Sequence, residues 1–114
     1  MPIVNTYYTS EKDKQICFRF VRELKQYVSE LLTCGDIELD ANEVSVRLIE
    51  TRPEGLIAHG IELEILAHAF SERVQAQDNI CRDVRKWIMD KAPEFSDVQV
   101  WLALDELVHS YEPK

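Results

Sequence analysis

Several features common in catalytic and membrane proteins are scarce or missing in this sequence. There are only three glycines in 114 residues, and no glycine-rich loop that could cradle phosphates. No GxSxG turn is present to present a serine nucleophile. The three cysteines, Cys17, Cys34 and Cys81, are odd in number and form no CxxC pair. That suits free thiols in a reducing compartment. Cys17 and Cys81 fall inside helical patterns and read as core fillers. No run approaches the ~18 apolar residues of a membrane span. The opening residues do not place a basic stretch before an apolar one, so a cytoplasmic location is expected. Positive charge is also short. Thirteen Lys and Arg face 21 Asp and Glu, giving a net charge of −8 and a pI of about 4.8. Neither duplex nucleic acid nor an anionic membrane is expected to attract such a chain. Glu62, Glu64 and His68 share a strand face, whereas His59 falls on the other. With no recognisable ligand spacing, no metal and no cofactor is expected.

What remains is the composition of one globular domain, with 46% hydrophobic and 30% charged residues. The length suits a single domain and core spanning residues 1–114. Ile3 to Thr9 reads as a strand rich in β-branched and aromatic residues. Ser10 reads as an N-cap, with Asp13 three residues on. Ile16, Phe20, Leu24, Tyr27, Val28 and Leu31 then recur at helical spacing, and Gly35 is the expected stop. Residues 36–42 are polar and acidic, a loop. Val44, Val46 and Leu48 alternate with Ser45, Arg47 and Ile49 as a strand, and Arg52-Pro53-Glu54-Gly55 signals a turn. A further strand carries Ile61, Leu63 and Ile65 on one face and Glu62, Glu64, Leu66 and His68 on the other. Ser71 is a candidate cap for a second helix with Val74, Cys81, Val84, Trp87 and Ile88 on its apolar side. Pro93 ends that helix, and Val98, Val100, Leu102 and Leu104 mark the last strand. Residues 106–114 read as either a short helical turn or an arm.

The order is one β-α-β unit repeated, which predicts an α+β fold. Right-handed crossovers join parallel strand pairs and put both helices on one face of a four-stranded mixed sheet. The opposite face then carries Arg47, Ile49, Glu62, Glu64, Leu66, His68 and Trp101. The apolar members of that set predict that further copies of the chain cover it.

The opening residues Met1-Pro2-Ile3-Val4-Asn5-Thr6 supply the candidate reaction centre. Removal of Met1 would leave the ring nitrogen of Pro2 as a free secondary amine. A free α-amino group has a pKa of about 7.7–8.0. Burial among apolar groups, or a neighbouring arginine, lowers it and leaves a proton acceptor near neutral pH. An arginine such as Arg47 or Arg73 could hold a carboxylate in bidentate fashion beside it. The plainer reading of Pro2 is the start of an edge strand, where a missing N–H costs nothing. Arg47 could equally pair with Glu62 or Glu64, and Arg73 could sit in a charged first helical turn.

Together, three features resemble the tautomerase superfamily, the group that contains 4-oxalocrotonate tautomerase, 5-carboxymethyl-2-hydroxymuconate isomerase and macrophage migration inhibitory factor. They are the Met1-Pro2-Ile3-Val4-Asn5-Thr6 opening, the stretch Val44-Ser45-Val46-Arg47-Leu48-Ile49-Glu50-Thr51, and the doubled β-α-β order over nearly the whole chain. The resemblance implies a homotrimer that buries the bare sheet face. It also implies a catalytic proline at Pro2 for enol–keto conversion, and carboxylate-binding arginines at Arg47 and, by a looser match, Arg73. The partner implied is a small carboxylate-bearing substrate. Two departures bear on the chemistry. Thr9-Ser10-Glu11 lacks an arginine at the first strand–helix junction, and Gln99-Val100-Trp101-Leu102 lacks the polar residues of the inhibitory-factor branch. A catalytically inactive trimer with a binding or structural role is therefore the alternative.

Overall fold

The computed structural model describes residues 2–34, 38–51 and 60–105. The expected turn at 52–55, Gly35, His59 and the tail 106–114 lie outside the described residues. Four strands, β1 (Ile3–Tyr8), β2 (Ser45–Glu50), β3 (Ile61–His68) and β4 (Val98–Asp105), form one sheet in the order β2-β1-β3-β4. β1 runs parallel to β2 and antiparallel to β3, and β3 runs parallel to β4. The doubled β-α-β reading holds, and the sheet is mixed because the two units meet antiparallel through β1 and β3.

Helix α1 (Glu11–Leu32) begins where the Ser10 side chain accepts the Asp13 N–H at 3.1 Å, satisfying one of the orphan donors of a helix start. It stops at Leu32, before Gly35. Thr33 turns extended, and its hydroxyl donates to the Ser29 carbonyl at 2.8 Å. Part of the expected loop is ordered as one 3-10 turn, Ala41–Glu43, closed by a reciprocal capping box between Asp40 and Glu43.

The second helix differs from expectation in two ways. It is broken into α2 (Ser71–Gln75) and α3 (Gln77–Lys91), with Ala76 between them at φ −95° and ψ 8°. Ser71 is also not its cap. Phe70 holds that position without a side-chain hydrogen bond. Val74, expected on the apolar side, is 51% exposed, while its neighbour Arg73 is 3% exposed. The short helix turns Arg73 inward to meet backbone carbonyls, which carries Val74 out to the surface. Pro93 does end the helix, because Ala92 before it leaves the helical region at φ −134° and ψ 72°.

The core lies between the sheet and the helices. Ile16, Cys17, Phe20, Leu24, Val28 and Leu32 of α1 and Ile80, Val84 and Ile88 of α3 pack against Val4, Ile61, Leu63, Ile65, Val98 and Val100. Phe20 meets Trp87 and Phe95 edge-on at 6.0 and 6.5 Å, a favoured aromatic geometry. Cys17 is fully buried here, and burial pushes its thiol up to about 12.

Candidate active site

Pro2 is buried at the head of β1, and its carbonyl accepts the Ser45 N–H at 3.0 Å. Because β1 lies between β2 and β3, the edge-strand explanation of this proline does not apply. Its missing N–H falls one residue ahead of an inner strand that begins at Ile3.

Arg47 sits elsewhere. It pairs with Asn5 in the parallel β1–β2 register, about 10 Å along the strand from Pro2 at the usual rise per residue. Side chains alternate along a strand, so Arg47 and Asn5 share the uncovered face and Pro2 shares the helix face with Val4. One chain therefore does not bring Pro2 and Arg47 together. Arg47 is exposed.

Arg73 is buried, and two of its N–H groups are engaged. Nε donates to the Leu32 carbonyl and Nη1 to the His68 carbonyl, each at 2.9 Å. Its guanidinium also lies over the Phe70 ring at 4.7 Å. Burial lowers its pKa, and the neighbouring Cys34 side chain acts in the opposite sense. To bind a substrate carboxylate with either of those groups, Arg73 would have to release a carbonyl. Its bonded carbonyl, at His68, closes β3 at the end of the sheet where Pro2 opens β1.

The uncovered face carries a polar strip that sequence reasoning missed. Asn5 Nδ2 and the Tyr7 hydroxyl both donate to Glu64 Oε1, at 3.1 and 3.3 Å. Asn5 is 8% exposed and its Oδ1 has no partner among the described residues. Burial first, then Glu64 and Glu62, pushes the Tyr7 hydroxyl above its ordinary pKa. The signal was available as the alternation Asn5, Tyr7 and Glu62, Glu64, but pairing it required knowing that β1 and β3 are neighbours. Trp101, on the same face, is 47% exposed.

Two surface clefts lie on the helical side. One of about 300 Å³ is lined by Tyr27, Trp87 and Lys91 among others, and one of about 480 Å³ by Thr33, Glu38 and Leu39 among others. Neither is lined by Pro2, Arg47 or Arg73. Among the described residues, no group of three or more His, Cys, Asp and Glu side chains is placed to hold a metal. No helix among them is long and apolar enough to cross a membrane.

Comparison with solved structures decides the fold. A 5-carboxymethyl-2-hydroxymuconate delta-isomerase superposes over 100% of this chain and 87% of its own, with TM-score 0.62 and 17% identity. The chain has the tautomerase fold. A macrophage migration inhibitory factor-like protein from Entamoeba histolytica matches 91% of this chain and 88% of its own, with TM-score 0.63 and 11% identity. A Vibrio cholerae protein of unknown function matches 97% of this chain and 83% of its own, with TM-score 0.67 and 19% identity. A fused 4-OT, itself a symmetric trimer, matches 90% of this chain and 85% of its own, with TM-score 0.60 and 16% identity. No family model and no curated protein matches the sequence.

Proposed function

We propose that this chain is a tautomerase or isomerase of a small enol or 2-oxo acid that carries a carboxylate, with Pro2 as the proton-transferring group once Met1 is removed. The observation that carries the reading is the buried proline at the head of an inner strand of a tautomerase sheet. A ring nitrogen fixed by two covalent bonds has no rotamer to lose on reaching a transition state. In an apolar setting its neutral form is favoured, and it accepts a proton from carbon or returns one.

Arg47 is the proposed carboxylate ligand, contributed by an adjoining copy because one chain keeps it away from Pro2. The bare face of Ile49, Leu66 and Trp101 is the surface through which copies would meet, as a homotrimer. Arg73 is the proposed second carboxylate ligand, through N–H groups other than the two that hold the Leu32 and His68 carbonyls. The test compares tautomerisation of phenylenolpyruvate by wild type and Pro2→Ala. A loss of about 100-fold or more is expected for a general acid–base residue, and equal rates would end the proposal.

A second reading is favoured by one observation. Arg73, an arginine matched to carboxylate binding, has two N–H groups committed to backbone carbonyls. A trimer that keeps the fold for binding or structure would show that pattern too. It predicts that an electrophilic carboxylic acid fails to label Pro2.

A further inference from the structure

We infer that His68 is the second proton-handling residue of this site, meeting the oxygen of the enol while Pro2 meets the carbon. The inference rests on the reading of Pro2 given above. β1 starts at Ile3, which pairs with Leu66, whereas β3 continues to His68. Carried outward, that antiparallel register sets Pro2 opposite Ala67 and sets the space ahead of the Pro2 nitrogen beside His68. In a free prolyl amine, Cα and Cδ take two tetrahedral directions. One of the other two runs back along the strand axis, alongside the end of β3. From strand rise and spacing, the His68 Cα lies on the order of 6–7 Å from that nitrogen. That span admits the carbon–carbon–oxygen unit of an enol between the amine and an imidazole nitrogen.

His68 is also held in place. Its carbonyl accepts Arg73 Nη1 at 2.9 Å. Its ring packs on Phe70 at 4.7 Å and 57°, and the Arg73 guanidinium covers the same Phe70 ring. On its other side its register partner is Asp105 in β4, on the same face of the sheet. It is half-buried, and it is the one histidine among the described residues. Arg73 thus becomes a positioning residue, holding the His68 carbonyl and covering the Phe70 ring on which the imidazole packs.

In the enol-to-keto direction, the hydroxyl proton passes to the neutral imidazole nitrogen and the O–H electron pair becomes the new carbonyl π bond. The C=C pair takes the proton from the Pro2 ammonium. Pro2 ends neutral and His68 protonated, and proton exchange with water restores both.

The experiment measures kcat and KM for phenylenolpyruvate with wild type, Pro2→Ala, His68→Ala and His68→Gln. N-terminal masses are verified, and oligomeric state and melting temperature are compared. Both His68 variants are expected to lower kcat about 100-fold, the low end of the range for a general acid–base group, with KM changed less than about threefold. A folded His68→Ala or His68→Gln that keeps kcat within about threefold of wild type, while Pro2→Ala loses about 100-fold, overturns the role of His68 and leaves that of Pro2 standing. Equal rates for wild type and Pro2→Ala, or no activity in wild type, overturn both. If His68→Ala does not fold, His68→Gln carries the comparison.

Discussion

Arg73 reaches back 41 residues to donate its Nε hydrogen to the carbonyl of Leu32 at 2.9 Å. The last turn of a helix leaves its carbonyls without internal partners. This arginine supplies a donor to one of them and, through Nη1, also closes the end of β3. It therefore joins the two β-α-β units at the end of the sheet where Pro2 lies.

Replacing Arg73 with Ala should destabilise the fold by about 2–4 kcal/mol, since it strands two carbonyls in a buried setting. Arg73→Lys should recover only part of this, because an ammonium cannot match two carbonyls with a planar fork. Urea unfolding of the three proteins checks both statements.

Arg47 lies about 10 Å along the strands from Pro2, so the proposed site takes its arginine from a second copy. Pro2→Ala and Arg47→Ala should each be deficient alone, the latter chiefly through a raised KM. Unfolded together in equal amounts and refolded, they should recover about a quarter of wild-type activity, because a random mixture forms intact inter-subunit sites at that frequency. No recovery would place both residues in one subunit's site.

Trp101 is 47% exposed on the uncovered face. Trp101→Glu should shift the sedimentation of the protein from an oligomer toward a monomer, because a charge would then face a desolvated interface. Identical sedimentation for the two proteins would mean that this face is not where the copies meet.

Cys17 is fully buried and its thiol rises from 9.0 to about 12. The unfolded thiol ionises at the lower value and the folded thiol at the higher one. Between them the folded state holds more protons, so stability is full below about pH 9 and falls as pH rises toward 12. The slope from this one group is about 1.4 kcal/mol per pH unit. Cys17→Ala should flatten that limb of the pH–stability curve. In the native state at pH 8, Cys17 should resist alkylation that reaches it after unfolding.

Much of the architecture was legible because periodicity reports burial. The alternation Ile61, Leu63, Ile65 and the helical run Ile16, Phe20, Leu24, Val28 are direct consequences of one face meeting a core. The break at Ala76 was not legible. No proline or glycine marks it. The Asn5–Glu64–Tyr7 strip was hidden for a related reason, since its members lie 57 to 59 residues apart and meet only when β1 and β3 pair. Of the candidate site, Pro2 could be singled out from its place in the chain. The distance between Pro2 and Arg47, and the engagement of Arg73 by carbonyls, depend on register and packing that no local pattern encodes.

The central claim is that a free Pro2 amine moves the proton. The most direct measurement compares phenylenolpyruvate tautomerisation by protein whose mass shows Met1 removed with protein whose mass shows Met1 retained. Acylation of the nitrogen abolishes its basicity, so activity is expected only in the processed form. Equal rates from the two forms would contradict the account.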